Sequence, residues 1–179
     1  MAYTMDDELI SLFNRAQSDT YKVHDHALSD LRFLIERFTM NRYSERERED
    51  YLDFFYNKNL IDYRLDSEKL DLIKHFLFFL LFNFPDRAES VAKCVKVLFD
   101  PSIYEAICSA IEFYMEKNDL ATYELIFGIT DTTNSAEYFK NKRVVELFQR
   151  IRKSGGKFSA ALIEDVFNFY NENEKNISS

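Results

Sequence analysis

Glycine and proline are nearly missing from this chain, with three Gly and two Pro in 179 residues. They stand at Gly128, Gly155, Gly156, Pro85 and Pro101. Sheets joined by tight turns need residues that reach positive φ or preset a turn, so this scarcity excludes a β-rich fold and predicts an all-α one. Cys94 and Cys108 are the only cysteines. Two are too few for a disulfide framework, and they lack metal-ligand spacing. Both lie among apolar residues, where a free thiol behaves as a small hydrophobe. The most apolar stretch, residues 76–84, is interrupted by Asn83 and falls far short of the ~20 residues that span a bilayer. No GxSxG, HExxH or clustered Cys/His pattern occurs, which removes the enzyme classes those motifs mark. The first residues, Met1-Ala2-Tyr3-Thr4-Met5-Asp6-Asp7-Glu8, are acidic where a secretory leader is basic and then apolar. A reducing, cytoplasmic setting is expected, with the nucleus as the alternative, and the sequon Asn176-Ile177-Ser178 carries no weight there.

What the chain has in quantity is aromatic residues and charge. Eighteen Phe and eleven Tyr are far more than disordered segments hold. At 21.4 kDa the length suits one domain with a continuous core, expected over residues 1–175 with a short disordered tail at 176–179. The net charge is −8, which disfavours general affinity for nucleic acid or anionic lipid. The charge is uneven. Between residues 137 and 157, Lys140, Lys142, Arg143, Arg150, Arg152, Lys153 and Lys157 face only Glu137 and Glu146, a net +5 that leaves −13 for the remainder.

Capping chemistry sets the helix starts. Thr4-x-x-Asp7, Ser44-x-x-Glu47, Asp86-x-x-Glu89 and Ser102-x-x-Glu105 fit patterns that satisfy free amides at a helix N-terminus. Asp100-Pro101 offers a competing start for the last of these. About nine helices are predicted, over 5–18, 22–41, 44–58, 67–84, 86–99, 102–118, 119–128, 135–153 and 158–174, with Gly128 and Gly155-Gly156 as breaks where φ can be positive. The stretch from Leu70 to Phe84 is apolar nearly all round, so it is expected at the centre. Phe76, Leu77, Phe79, Leu80 and Ile107 are expected to be buried.

One phrase returns. Asp53-Phe54-Phe55-Tyr56-Asn57-Lys58-Asn59 reappears as Glu112-Phe113-Tyr114-Met115-Glu116-Lys117-Asn118, and more loosely as Asn168-Phe169-Tyr170-Asn171-Glu172-Asn173. The phenylalanines at 54, 113 and 169 are 59 and 56 residues apart. A shift of 56 also aligns Ile107 with Ile163 and places the apolar Ala106, Ala110 and Ile111 on Leu162, Val166 and Phe167. The first copy matches only at its end. Two architectures remain open: stacked helical hairpins, a solenoid that resembles the HEAT and armadillo class in shape without either consensus, or an irregular helical bundle whose helices end alike.

Candidate chemistry is sparse. His24-Asp25-His26 is followed by Asp30, and His26 and Asp30 share a helical face, as metal ligands of a small hydrolase would. His75 and Asp71 are the only conceivable completion. The competing reading is polar residues at a solvated helix start, with His75 a hydrogen-bonded core residue. Lys153-Ser154-Gly155-Gly156-Lys157 lacks P-loop spacing and reads as a helix connection. The residual possibility is a phosphate or an acidic side chain at the N-terminus of the helix that follows. Lys140, Arg143, Arg150 and Lys153 recur at helical spacing, opposite apolar Val144, Val145, Leu147, Phe148 and Ile151. Such a face is either solvated or an electrostatic site for an acidic or phosphate-bearing peptide. Tyr138 and Phe139 beside it could stack bases, so an RNA-associated protein using residues 140–157 is a further alternative.

The expected function is non-catalytic: an interaction module, as an adaptor, regulatory subunit or pathogen-encoded binding protein. It would capture a peptide or amphipathic helix of a partner on Lys140, Arg143, Arg150 and Lys153 and on the aromatic residues Phe55, Tyr56 and Tyr63. No cofactor and no metal are expected.

Overall fold

A computed structural model describes residues 6–39, 54–98, 101–130 and 139–177. The described residues form eight α-helices and two short 3-10 turns, and no strand occurs among them. The helices are α1 (Asp7–Ala16), α2 (Tyr21–Thr39), α3 (Ser67–Asn83), α4 (Ala88–Lys96), α5 (Pro101–Tyr114), α6 (Asp119–Thr130), α7 (Lys142–Ser154) and α8 (Lys157–Ile177). The all-helical expectation holds. The helix expected over 44–58 falls mostly outside the described residues. Its end is a turn leading into the 3-10 segment Lys58–Leu60.

The starts of the helices follow side-chain oxygens. Asp6 caps α1, accepting the Leu9 amide at 3.0 Å; Thr4 lies outside the described residues. Asp66 accepts the Lys69 amide at 2.8 Å at the head of α3. Asn118 and Asn141 do the same for α6 and α7. Helix α5 begins at Pro101, the earlier of the two expected starts. Gly128 does not break α6, which runs through it to Thr130; one glycine in a helix costs only about 1 kcal/mol.

The chain divides into two compact units, Met1–Phe79 with Lys93–Phe99, and Leu80–Ala92 with Asp100–Ser179. The division falls inside α3 and α4. In the first unit α1 packs along α2, burying Leu9, Leu12, Phe13 and Ala16 together with Ala27, Leu28, Leu31, Leu34 and Ile35. Phe13 stacks on Phe76 of α3 with ring centroids 4.0 Å apart. In the second unit α8 packs on α6 and α7, and α5 packs on the same two helices, closing a ring of four. Ile107, Ala110, Ile111, Leu125, Ile126, Val144, Leu147, Phe148, Ile151 and Ile163 are buried there.

Of the five side chains expected in the core, Phe76, Leu77, Leu80 and Ile107 are buried, but Phe79 is 45% exposed. An apolar sequence around a whole helix does not say which face will be the most deeply covered. The buried line of α3 runs through Ile73, Phe76, Leu77, Leu80 and Leu81, and Phe79 lies off it. Both cysteines are buried. Burial pushes the Cys94 thiol up to about 12 and Cys108 to about 11, so both are protonated and unreactive at neutral pH.

A shift of 56 matches buried positions of α4 with buried positions of α7, but between α5 and α8 it does so only at Ile107 and Ile163, since Ala110, Ile111 and Tyr114 are buried and Val166, Phe167 and Tyr170 are half-buried. Positions 88, 91, 92 and 95 of α4 are buried, as are 144, 147, 148 and 151 of α7, each 56 residues on. Ile107 and Ile163 are both buried, and Phe113 and Phe169 are both exposed. The phrase closes α5, which ends at Tyr114, but not α8, which continues to Ile177.

Candidate functional site

The aromatic surface of the first unit is built on a buried carboxylate. Asp30, on α2 and fully buried, accepts the backbone amides of Tyr56 at 2.7 Å and Asn57 at 3.0 Å. These bonds fix the segment ahead of the 3-10 turn, and with it three aromatic rings in sequence. Phe54 stacks on Phe33 of α2 at 5.5 Å, and Tyr56 stacks on His26 at 3.6 Å, nearly parallel. Phe54 and Tyr56 each remain 54% exposed, whereas Phe55 between them points inward and is 3% exposed. The Arg37 guanidinium lies 5.2 Å from the Phe55 centroid and donates to the carbonyls of Leu60, Ile61 and Tyr63.

Three expected site residues thus have different situations. Tyr56 is on the surface. Phe55 is in the core. Tyr63 is half-buried and donates its hydroxyl to Asp6 Oδ2 at 2.7 Å; burial and the adjacent Asp6 carboxylate raise its phenol well above the usual range. The Lys69 ammonium lies 5.0 Å from the same ring and pairs with Asp6 at 3.1 Å. Phe54 is the exposed ring that composition alone did not single out, although it heads the repeated phrase.

The histidine cluster does not converge. His24 is buried, with Nδ1 3.0 Å from the Ser18 carbonyl. His26 stacks on Tyr56, and both Asp30 oxygens are engaged by backbone amides. His75 is exposed, with Nδ1 2.7 Å from the Asp71 carbonyl, rather than in the core as expected, because it sits off the buried line of α3. Among the described residues no three His, Cys, Asp or Glu side chains are grouped as metal ligands.

On the second unit the basic residues lie along α7, and α5 answers them. Arg143 pairs with Glu105 and Glu112 and donates to Ser109 Oγ at 3.2 Å. Arg150 pairs with the other oxygen of Glu112 at 3.2 Å. Arg152 is held bidentately by Glu164 of α8, and Lys142 lies 3.6 Å from Glu146. Lys140 and Lys153 are exposed. The sequence shows the net charge of this segment but not the acids that α5 and α8 set against it. Phe139 stacks on Tyr170 at 4.2 Å, an internal contact, and Tyr138 lies outside the described residues.

The glycine connection resolves into an intramolecular cap. Asp119 at the start of α6 accepts the Phe158 amide at 2.9 Å, the Ser159 amide at 3.2 Å and the Ser159 hydroxyl. An acidic side chain of the chain itself therefore fills the N-terminus of α8, favoured there by the free amides and the helix dipole. Gly155 has φ −76°, so these glycines are not there for positive φ. Space explains them: a Cβ on Gly156 would land on the Asp119 carboxylate, and one on Gly155 would meet the Ile151 carbonyl at 2.5 Å.

No protein-family model matches the chain, and no curated protein or solved structure shows significant similarity to it. No helix among the described residues is long and apolar enough to cross a membrane.

Proposed function

We propose that the chain is a non-catalytic module that binds another protein, and that the surface formed by Phe54 and Tyr56 is its principal contact. One observation carries this reading: two aromatic side chains are each more than half exposed on a backbone pinned by a fully buried carboxylate. Fixed, exposed aromatic rings bind with little loss of side-chain freedom, and they dominate the energetics of protein interfaces. The residues that would serve a metal hydrolase support the same reading. Asp30 anchors the segment, and His26 backs the Tyr56 ring.

The basic residues contribute less to recognition than their number suggests. Arg143 and Arg150 share Glu112, and Glu105 adds a second negative charge. Glu105 and Glu112 offset the charge of these two arginines, which weakens their pull on an acidic partner.

The test is affinity purification of the tagged full chain from its native cell with quantitative mass spectrometry, alongside Phe54→Ala/Tyr56→Ala. A stoichiometric protein that disappears with the double variant, while the melting temperature holds, is the expected result. A partner unaffected by the pair moves the contact elsewhere. Turnover of a substrate by the purified chain would overturn the non-catalytic reading.

A further inference from the structure

Helix α8 packs on α6 and α7, burying Ser159 and Ile163, and carries an ordered pattern along its outer side. Phe158, Leu162, Asp165, Phe169 and Glu172 follow one another at steps of 4, 3, 4 and 3 residues. That is the spacing of a helix that lies along a second helix. Phe158 is 61% exposed and Phe169 59%. Asp165 and Glu172 are exposed, and Leu162 is half-buried. Leu120 of α6, 59% exposed, extends the apolar surface beside Phe158, because the adjacent Asp119 accepts the Phe158 amide. Rings left in water forgo the stabilisation that burial gives.

The charges along this line select its occupant. Lys157 heads it, with Lys153 just before it at the end of α7, and Asp165 and Glu172 follow. All four side chains are exposed, and none forms an ion pair among the described residues. Arg152 and Glu164, on the α7 side, are already bonded to each other. The line is thus basic at its start and acidic toward its end. A helix of one sign would suit one end and be repelled by the other. We infer that a second copy of this chain covers the line, α8 against α8 in antiparallel order about a two-fold axis. Setting Phe158 against Phe169 of the other copy fixes the rest. Leu162 then faces Asp165 of the other copy, and Glu172 comes within one helical turn of the other copy's Lys157, twice by symmetry. Parallel pairing would instead set Glu172 on Glu172. The −8 on each chain opposes association at long range, but beyond ~8 Å that repulsion is screened at physiological salt. Asp165 is the one flaw in the apolar seam. The inference concerns the second unit and is independent of the contact at Phe54 and Tyr56.

Sedimentation velocity of the full chain at physiological salt, run from low to high micromolar concentration, tests this. A concentration-dependent dimer is expected. Phe158→Ala/Phe169→Ala should weaken it about tenfold or more, the size expected of aromatic anchors, while the melting temperature holds. Glu172→Lys sets two lysines together at both ends and should weaken it roughly fivefold. Lys157→Glu/Glu172→Lys exchanges the two signs and should restore the wild-type association. Asp165→Leu completes the apolar seam and should tighten the dimer about tenfold. A chain that stays monomeric throughout overturns the inference and leaves the face to a different partner. A dimer that survives the phenylalanine pair overturns it too, by placing the contact elsewhere. So does an exchange that fails to restore what Glu172→Lys loses, since only antiparallel pairing joins those two residues. If the phenylalanine pair lowers the melting temperature, the charge exchange, confined to exposed side chains, decides by itself.

Discussion

Each unit of this chain hangs a distant segment on one aspartate, and the two aspartates sit in opposite energetic positions. Asp30 holds the amides of Tyr56 and Asn57, 26 and 27 residues away. Asp119 holds those of Phe158 and Ser159, 39 and 40 away. The bonding is nearly the same, and burial differs. For Asp30, burial raises the carboxyl, and the two amide bonds with the charges of Arg15 and His26 do not cancel it. For Asp119, burial also pushes upward, but the Ser159 hydroxyl and the two amides outweigh it and hold the group below its ordinary value. An anchoring carboxylate is therefore cheap at a helix N-terminus open to water and costly in a sealed interior.

Removing Asp30 should produce the largest effect. Asp30→Ala strands two backbone amides in a partly buried site, each costing about 1–3 kcal/mol, so a loss of about 2–4 kcal/mol in urea unfolding is expected. The Tyr56 ring should lose its order on His26. A loss below about 1 kcal/mol would show that the segment holds itself and that Asp30 is not its anchor.

At Asp119 the comparison can be broken from the other side. Gly156→Ala forces a methyl group onto the carboxylate and should cost about 1–3 kcal/mol, the range for overpacking. Asp119→Ala removes the cap and should cost about 1–2 kcal/mol. The two residues touch, so their effects should not add: in the Asp119→Ala background, Gly156→Ala should cost less because the obstructing group is gone. Additive values would mean that the alanine is accommodated without moving Asp119.

The pH dependence sharpens the same contrast. A raised folded pKa, as for Asp30, gives stability that is present below the unfolded value and lost as pH rises through the folded one. A lowered folded pKa, as for Asp119, gives stability that is present above the unfolded value and lost as pH falls through the folded one. Wild-type stability relative to Asp30→Asn should therefore improve as pH falls from 7 toward 4. Relative to Asp119→Asn it should decline, and only below about pH 4. Parallel profiles for the two variants would contradict the difference in burial.

These anchors mark what a sequence conveys and what it does not. Helix type was legible because periodicity is local, but the observed caps are Asp6, Asp66, Asn118 and Asn141, whereas the expected Asp86 lies inside a 3-10 turn and Ser102 inside α5. The 56-residue shift was legible in the apolar pattern, although of the described α5 and α8 pairs only Ile107 and Ile163 are both buried. Asp30 entered the sequence reading only as a ligand in an alternative metal site, because its real partners are two amides in another segment, which no spacing rule connects to it. The glycines at 155 and 156 were visible, yet their requirement for space depends on Asp119. Phe79 looked like core because an apolar helix does not show which face is covered. Arg143 and Arg150 looked like an open basic face because Glu105 and Glu112 lie more than thirty residues earlier in the chain.

Burial without any partner is the complementary case. Tyr114 is 4% exposed, and its hydroxyl finds no hydrogen-bond partner among the described residues. Burial raises the phenol above its ordinary value. Tyr114→Phe deletes the stranded group without changing the ring, so stability should rise by about 1 kcal/mol. A loss of similar size would reveal a bond to that hydroxyl.

The exposed ion pairs complete the series and should matter least. Arg143 and Arg150 tie α7 to α5 through Glu105 and Glu112, but their side chains are 35% and 57% exposed. Water and salt screen such pairs, and holding long side chains in place costs entropy, so each contributes only about 0–1 kcal/mol. Arg143 has the better geometry, with two acids and the Ser109 hydroxyl around one guanidinium, and should account for most of the effect. Arg143→Ala/Arg150→Ala is thus expected to lower stability by about 1 kcal/mol at low salt and by less at physiological salt, where the Debye length is ~8 Å.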